Sequence, residues 1–266
     1  MKKEIEIVKQ NYEEDPQKEW NRLDGFKYEF EITRRLLDRH AQPKRLLDIG
    51  GGPGRYSLYF AGLGYDVTLV DLSQGNVDFA KKKAAEMGLN ITAYQADARD
   101  LSKLNLGEFD TVLIMGPLYH LSEEKDRKQC VLEAKKHLKK DGVLCASFLA
   151  LNSMLNYCLD KELTAMLEEK ETGLLECMQE NKTWSGKVFT LATFVAADAI
   201  APFFAELGFE KITLFGQEGI VASKLQQMEN EEKEVQEFYL DMGLKLCENP
   251  YYFSYSSHLM YIGRKV

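Results

Sequence analysis

The stretch that decides the fold is Leu46-Leu47-Asp48-Ile49-Gly50-Gly51-Gly52-Pro53-Gly54-Arg55-Tyr56, in which an apolar run leads into a glycine-rich turn. Glycines at positions 50, 52 and 54 permit positive φ and let bare backbone approach a ligand, and the predicted following helix offers unpaired N–H groups. A second apolar run, Val67–Val70, ends in Asp71. That carboxylate follows the glycines by about twenty residues, the spacing at which an α/β sheet presents an acid to a ribose. The pattern indicates a nucleoside site.

A dinucleotide site is a poorer match to the same glycines. In a G-x-G-x-x-G fingerprint counted from Gly50, the last glycine falls on Arg55, which disfavours the version that binds a pyrophosphate. The pattern present is Asp-x-Gly-x-Gly-x-Gly, from Asp48 to Gly54. It resembles the first motif of the class I S-adenosylmethionine (SAM)-dependent methyltransferases. We therefore expect SAM, and not NAD, as the cofactor.

Two later segments resemble the same family in the same order. Tyr94–Ala98 is similar to its adenine-binding segment, and Phe109–Leu121 is similar to its fourth strand and active-site loop, which here reads Gly-Pro-Leu-Tyr-His-Leu. The leading segment with Tyr12 and Trp20 resembles that of a bacterial subgroup of small-molecule methyltransferases, in which the leader folds over the cofactor. The resemblance covers roughly residues 10–150 and the final strand. It implies a small-molecule acceptor.

The resemblance also implies roles for the cofactor-site residues. Asp48 is expected to order the methionyl end, Asp71 to accept both ribose hydroxyls, and Asp97 to accept the adenine amino group beside the Ala98 N–H. Trp20 is either an aromatic face at the sulfonium or acceptor, or a hydrophobic plug. The full expected cofactor set is Asp48, Gly50, Gly52, Gly54, Asp71, Leu72, Asp97, Ala98, Met115 and Tyr12.

Three side chains are candidates for the acceptor side of the site: Tyr119, His120 and His258. Methyl transfer from a sulfonium is an in-line displacement that needs orientation in a dry pocket and, where the acceptor carries a proton, a base. His120, in the loop after the fourth strand, is the first candidate for that base, and a purely structural histidine is the alternative. A histidine with an unshifted pKa titrates at about pH 6.5, so turnover is predicted to rise through that region.

The composition limits the classes of function. A net charge of −8 over 266 residues argues against a broad nucleic-acid surface, because phosphate binding needs clustered cations. The five cysteines form no C-x-x-C pair and have no matching set of histidines, so neither disulfides nor a metal site are expected. The N-terminal sequence has no apolar signal region, and no membrane anchor is visible. We expect a cytoplasmic monomer or homodimer that binds neither nucleic acid nor membrane.

The apolar periodicities predict alternating strands and helices. Strands are predicted at 45–49, 66–70, 90–95, 111–115, 143–149, 209–215 and 258–264, and helices at 24–39, 55–62, 74–87, 199–207 and from Ser122 to a break at Asp141-Gly142. This order predicts an α/β fold, a doubly wound Rossmann-like sheet of seven strands with helices on both faces. By resemblance the last strand runs antiparallel, which would place His258 at the ligand edge.

We expect one methyltransferase domain over residues 1–266. Its parts are an N-terminal helical cap (1–43), a cofactor-binding core (44–150), an insertion (151–193), and a completing segment (194–266) with a helical insertion (224–249). The first insertion has an apolar stripe at helical spacing and then a polar stretch, so we expect a lid whose hydrogen exchange slows when ligands bind. A passive surface helix is the alternative. The second insertion is expected to pack on the core with a solvated back.

Three other functions share parts of the pattern. A DNA amino-methyltransferase would carry Asn/Asp-Pro-Pro-Tyr/Phe where this chain has Met115-Gly116-Pro117-Leu118. An aminopropyltransferase of the spermidine synthase type needs a carboxylate in the loop after the fourth strand, where this chain offers Tyr119 and His120. A SAM-binding regulatory protein without turnover is the third alternative, and the sequence leaves it open.

Overall fold

A mixed β-sheet forms the centre of the fold in the computed structural model, which describes residues 2–25, 27–168, 173–188 and 190–266. The strands in these ranges are β1 (Arg45–Ile49), β2 (Asp66–Asp71), β3 (Thr92–Gln95), β4 (Phe109–Ile114), β5 (Leu138–Ala150), β6 (Trp184–Lys187), β7 (Leu191–Val195), β8 (Phe209–Gly216) and β9 (His258–Lys265).

Helices cover both faces of this sheet. In chain order they are α1 (Lys2–Glu13), α2 (Pro16–Gly25), α3 (Lys27–His40), α4 (Arg55–Gly62), α5 (Gln74–Glu86), α6 (Glu124–Lys136), α7 (Ser153–Lys161), α8 (Ala165–Glu168), α9 (Leu174–Gln179), α10 (Ala197–Glu206), α11 (Leu225–Glu229) and α12 (Lys233–Leu246). Short 3-10 helices lie at Pro117–Tyr119, Gly219–Lys224 and Pro250–Tyr255. Within the described part of the chain, none of the helices combines the length and apolarity that crossing a membrane would require.

The strand order is that of a doubly wound fold. Strands β3, β2, β1, β4 and β5 pair in parallel in that order, β9 pairs antiparallel with β5, and β8 pairs antiparallel with β9. The predicted fold class and the reversed last strand are confirmed. The chain changes direction across the sheet between β1 and β4, and ligands of such sheets bind at the carboxyl ends of the strands beside that point.

The central strand β1 shows why the sequence folds in this way. Leu46, Leu47 and Ile49 are fully buried, because β1 has a hydrogen-bonded neighbour on each edge and helices on each face. At Gly54 the backbone has a φ of 91° before α4 begins, a conformation that glycine adopts without a Cβ clash. The buried strand and the glycine turn together fix the position of the cavity described below.

The hairpin of β6 and β7 adds two strands to the seven that were predicted. It is antiparallel, and β7 joins the end of β5 through Leu149↔Phe194 and Ala150↔Val195. The apolar stretch from Val188 to Phe209 is interrupted by Asp198 and Pro202, which favours a strand and then a helix over a membrane span, and these correspond to β7 and α10. The sequence pattern missed β6 because Trp184-Ser185-Gly186-Lys187 is short and mostly polar.

The helix expected to begin after Ser122 is shorter at both ends than predicted. Its N-cap is Glu123, and it ends at Lys136. Strand β5 then begins at Leu138, and its pairing with β4 jumps from Leu138 to Val143. Asp141, with a φ of 61°, lies in this irregularity. The Asp-Gly pair therefore makes a bulge within a strand, a role that its local turn preference does not distinguish from a helix end.

Candidate active site

The glycine turn between β1 and α4 borders a deep cavity at the carboxyl ends of the parallel strands. Gly50 and Gly52 have positive φ and line this cavity. A Cβ at Gly52 would meet no protein atom within 4 Å, so the turn leaves space for a ligand on that side. Gly54 is not part of the cavity wall. A Cβ there would lie 3.1 Å from the Cβ of Ala80, so this glycine allows α4 and α5 to pack closely.

Asp71 lies in the cavity wall at the end of β2, as the sequence predicts. Its carboxylate accepts N–H groups from Gly52 at 2.8 Å, Ser73 at 2.9 Å and the Asn76 side chain at 3.1 Å. A carboxylate has about four lone-pair directions, so one is left for a ribose hydroxyl. Acceptance of both hydroxyls, as expected from the sequence, requires one of these N–H groups to be displaced. Burial outweighs the three hydrogen bonds and raises the pKa of Asp71.

Asp48 lies beneath the turn and is 2% exposed. The Ser57 hydroxyl donates to its Oδ2 at 2.7 Å. Burial raises the pKa of Asp48 to about 7, because the opposing hydrogen bond from Ser57 is the weaker influence and the charge of Asp71 adds to the effect. Near neutral pH the carboxyl is therefore balanced between its two forms, and a cation placed beside it would favour ionisation.

The remaining expected cofactor residues also border the cavity. Asp97 follows β3, and its Oδ2 accepts from Arg99 Nη2 at 2.6 Å, while Arg99 Nη1 donates to Asp126 at 2.9 Å. Burial opposes ionisation, but the hydrogen bonds and charge of Arg99 lower the pKa of Asp97. The structure thus places these members of the set around one cavity: Asp48, Gly50, Gly52, Asp71, Leu72, Asp97, Ala98, Met115 and Tyr12.

The two N-terminal helices cover the cavity. Ile5, Val8 and Tyr12 of α1 contribute to its wall. Glu13 fixes α1 to the core, since its carboxylate accepts the backbone N–H groups of Gln74 at 3.1 Å and Gly75 at 3.0 Å in the first turn of α5.

Trp20 of α2 packs outside the cavity. Its ring lies 5.9 Å from that of Phe79, and the Arg55 guanidinium lies 4.7 Å from it. Trp20 is not among the cavity-lining residues of the described chain. Of the two roles open from the sequence, the structure places it as a hydrophobic plug.

His120 lines the cavity, but both of its ring nitrogens are engaged. Nδ1 lies 2.8 Å from the Leu191 carbonyl, which can only accept, so Nδ1 carries a proton. Nε2 then accepts from the Tyr12 hydroxyl at 2.9 Å. Burial lowers the pKa of His120 to about 4. The ordinary pKa of about 6.5 that was expected for this residue from the sequence is therefore corrected. His120 is therefore neutral at physiological pH, and its hydrogen bond orients Tyr12.

Tyr119 separates His120 from His258 in the wall. Its hydroxyl donates to the Met115 carbonyl at 2.9 Å. Its ring centroid lies 4.7 Å from that of His120 and 6.0 Å from that of His258. Burial raises the pKa of Tyr119, so the phenol stays protonated. The structure thus brings all three expected acceptor-side residues together.

His258 begins β9 at the ligand edge and is held from behind by Glu218. Nδ1 lies 2.5 Å from Glu218 Oε1, and Oε2 of the same carboxylate accepts the backbone N–H groups of Ser257 at 3.1 Å and His258 at 3.0 Å. Glu218 is 1% exposed. Burial opposes protonation of His258, but the charge and hydrogen bond of Glu218 and the charge of Glu29 together raise its pKa.

A partly buried ion pair lies near His258 in the cavity wall. Arg22 of α2 donates through Nη1 and Nη2 to Glu29 of α3 at 2.9 and 3.3 Å, and through Nε to Glu19 at 2.8 Å. Burial opposes ionisation of Glu29, but the charges of Arg22 and His258 lower its pKa. Glu29, Glu218 and His258 each have one atom of a type that binds metals, and these three atoms lie within 4.8 Å of one another. Because Arg22 and backbone N–H groups already engage the carboxylate oxygens, we treat this cluster as an internally paired charge network.

Sequence reasoning missed Arg22, Glu29 and Glu218. A signal existed for Glu29, because it falls in the buried stripe of α3 that also contains Ile32 and Leu36, and a carboxylate on an apolar face needs a partner. Glu218 follows β8 in a loop whose sequence matches no motif. Only the three-dimensional structure places it behind His258.

The lid expected over residues 151–193, of which 169–172 and 189 lie outside the described residues, stays a prediction. No described residue of that range lines the cavity. The apolar side chains of the insertion, including Leu151, Leu174 and Trp184, form a separate core that packs against Tyr119. Since the Leu191 carbonyl also holds His120, the insertion supports the loop after β4 from outside. The cover over the cavity comes from α1 and α2.

Comparison with known proteins agrees with this geometry. Residues 46–142 match the family model described as a methyltransferase domain. The chain is 28% identical over 232 residues to the glycine/sarcosine N-methyltransferase of Parasynechococcus marenigrum, which covers 80% of this chain and 81% of that protein. It is 44% identical over 79 residues to a ubiquinone biosynthesis O-methyltransferase of Caulobacter sp., a match that covers 30% of this chain and 31% of that protein.

The fold is also that of solved methyltransferases. The magnesium protoporphyrin IX methyltransferase of Synechocystis, crystallised with SAM, superposes with a TM-score of 0.58 at 13% identity and covers 99% of this chain and 97% of that one. With the glycine turn, the acid after β2 and the methyltransferase domain match, the chain is a SAM-dependent methyltransferase of the class I fold.

Proposed function

We propose that this enzyme moves the methyl group of SAM to a small-molecule acceptor bound in the same cavity. The observation that carries the proposal is continuity, because one cavity runs from the glycine turn past Tyr119 to His258. The space along this cavity that protein atoms do not fill, open solvent included, is about 1290 Å³. Because the expected cofactor residues and the three acceptor-side candidates line the same cavity, an acceptor bound there would lie beside the cofactor.

In this proposal the strand ends form the cofactor half. Asp48 lies at the methionyl end, Gly50 and Gly52 give the cofactor direct access to the backbone, and Asp71 accepts a ribose hydroxyl. Gly54 supports the turn without touching the ligand. The remaining contacts come from Leu72, Asp97, Ala98, Met115 and Tyr12. The open space at Gly52, which a Cβ would fill, supports the fit of a nucleoside there.

A small amine is the acceptor class that we propose. The acceptor end holds the carboxylates of Glu19, Glu29 and Glu218 against the guanidinium of Arg22 and a histidine, so a neutral His258 leaves an excess of negative charge. Such a site attracts a cationic or N–H-donating molecule. Relatives that align along 74–80% of this chain are named for N-methylation of glycine and sarcosine, whereas the O-methyltransferase matches cover 30–43% of it.

The chain's own residues then contribute orientation and exclusion of water. SAM supplies an electrophilic methyl group. Ile5 and Val8 close the cavity with apolar side chains, while the Tyr12 oxygen, held by His120, retains lone pairs that can accept an N–H from the acceptor. The cavity is lined by residues from Ile5 to His258. We therefore propose that residues 1–266 work as a single domain, within the subgroup that carries the Gly-Pro-Leu-Tyr-His-Leu loop.

Calorimetry and a metabolite panel test the proposal. SAM and its demethylated product S-adenosylhomocysteine (SAH) should bind, and NAD should not. SAH release should be fastest with a small amine or amino acid among panels of amines, phenols and thiols. NAD binding without SAM binding would contradict the cofactor assignment. Methylation of a phenol with no amine turned over would contradict the acceptor class, and SAM binding with no turnover of any panel compound would favour a regulatory protein.

A further inference from the structure

We propose that His258 accepts the acceptor's proton during methyl transfer and that Glu218 is the residue that positions it, an inference that rests on the proposed function. His258 lines the cavity, whereas Glu218 lies behind the ring and outside the cavity wall. In the neutral ring, Nδ1 donates its proton to Glu218, and Nε2 on the opposite side is the nitrogen that can accept.

The backbone fixes this orientation. Glu218 uses one oxygen for Nδ1 and the other for the N–H groups of Ser257 and His258 at the start of β9. The carboxylate therefore cannot turn without losing hydrogen bonds, and the ring that it holds is fixed in one tautomer. Nε2 of His258 makes no hydrogen bond to any described residue. This differs from His120, in which Leu191 and Tyr12 engage both nitrogens.

Charged groups from several elements face His258. Glu218, which follows β8, and Glu29 on α3 favour the protonated ring, while Arg22 on α2 opposes it. Tyr119, in the loop after β4, faces it as a neutral phenol. Their balance raises the pKa of His258 despite burial. His258 is therefore the more basic of the two cavity histidines and becomes a competent base as the pH rises past that raised value.

The proposed step balances with an amine acceptor. The nitrogen lone pair forms the new bond to the methyl carbon, and the electron pair of the breaking carbon–sulfur bond stays on sulfur, which gives SAH. The proton of the methylated nitrogen moves to Nε2 of His258. Glu218 keeps its negative charge and stabilises the imidazolium that results.

Nuclear magnetic resonance tests the pair without any acceptor. The chain has four histidines, so histidine-selective labelling and His258→Gln would assign the His258 ring signals. In the parent, with and without SAH, His258 should titrate above about pH 6.5 with its proton on Nδ1 when neutral. Glu218→Gln should move that titration to lower pH, and Glu218→Asp should restore part of the difference. The matched control is Glu210→Gln, an exposed carboxyl at the other end of β8, which should leave it unchanged.

Turnover is the second readout. It is measured as SAH release with the amine of the panel that reacts fastest. His258→Gln should keep SAH affinity but lose roughly 10²- to 10⁴-fold in kcat, together with the rise of rate with pH. Glu218→Gln should shift the rise to lower pH and reduce the plateau at least about tenfold. If Glu218→Gln does not fold, His258→Gln and Glu218→Asp still decide the matter.

Three results would overturn the inference: a His258 titration unaffected by Glu218→Gln, turnover of His258→Gln within about threefold of the parent with the same pH profile, or activity that is lost with a chelator and restored by a divalent metal. Failure of SAH to bind at all would instead overturn the proposed function. The NMR titration separates the two failures, because it reports on the Glu218–His258 pair whether or not SAH binds.

Discussion

Replacing the buried Asp48 by asparagine should make the stability of the enzyme less dependent on pH. The carboxyl of Asp48 has a pKa of about 7 in the fold, against an ordinary value of 3.8. Between these two values the native state holds a proton that the unfolded chain has lost. Raising the pH through this range therefore lowers the free energy of unfolding. The side-chain amide of the Asp48→Asn variant does not titrate in this range. The variant should therefore lack this loss of unfolding free energy with rising pH.

The magnitude follows from the size of the shift. Each pKa unit is worth about 1.4 kcal/mol. With values of 3.8 and about 7, the ionisation of Asp48 costs about 2 kcal/mol of stability at pH 5 and about 4 kcal/mol at pH 8. The free energy of unfolding of the variant, relative to that of the parent, should thus rise by about 2–3 kcal/mol between pH 5 and pH 8.

Urea unfolding at the two pH values measures this difference. The matched control is Asp66→Asn, at the exposed start of β2, for which the difference should not change with pH in this way. The other shifted groups, such as Asp71 and His258, titrate in parent and variant alike and largely cancel in the comparison. A relative stability of Asp48→Asn that is flat from pH 5 to pH 8 would refute the conclusion that burial holds Asp48 protonated.

Ligand binding in the same cavity should respond to changes of pH and sequence as well. SAM affinity of the parent, measured by calorimetry, should rise with pH through about 7 as Asp48 ionises, and Asp48→Asn should lack that rise. Asp71→Asn should weaken SAM by about ten- to a hundredfold, because hydrogen bonds to a charged group contribute about 1.5–3 kcal/mol, while Asp66→Asn should not. Gly52→Ala should lose SAM binding at least about tenfold more than Gly88→Ala, since both have positive φ and free space for a Cβ but only Gly52 faces the cavity. Hydrogen exchange should slow in α1 when SAH binds, whereas slowing confined to α7 would favour the insertion as the lid.

The cofactor half could be predicted from the sequence because its information is local. Gly50, Gly52 and Asp71 each follow a strand directly, and the parallel sheet brings the ends of its strands to one edge. Backbone conformation and strand periodicity decide these positions, and both leave a visible pattern in consecutive residues. Even there the pattern did not distinguish Gly54, which packs on Ala80, from the glycines that face the cavity.

Electrostatic properties of the site could not be predicted in this way. The low pKa of His120 arises from burial beneath α1 and beside β7, and neither neighbour is close in sequence. The raised pKa of His258 depends on Glu218, 40 residues earlier in the chain. Two histidines at the same edge of one sheet thus acquire opposite shifts, because the residues that surround them come from different elements.

The family match covers only some of the residues that line the cavity. Residues 46–142 contain the strand ends that form the cofactor half of the cavity, together with Tyr119 and His120. Tyr12, Arg22 and Glu29 precede that range, and His258 with Glu218 follows it. The cofactor half of the cavity and two of the acceptor-side candidates therefore lie in the matched core, while Arg22, Glu29, Glu218 and His258 come from elements on both sides of it. Similarity confined to the core therefore bears on the cofactor site, and similarity in the flanking elements is what bears on the acceptor.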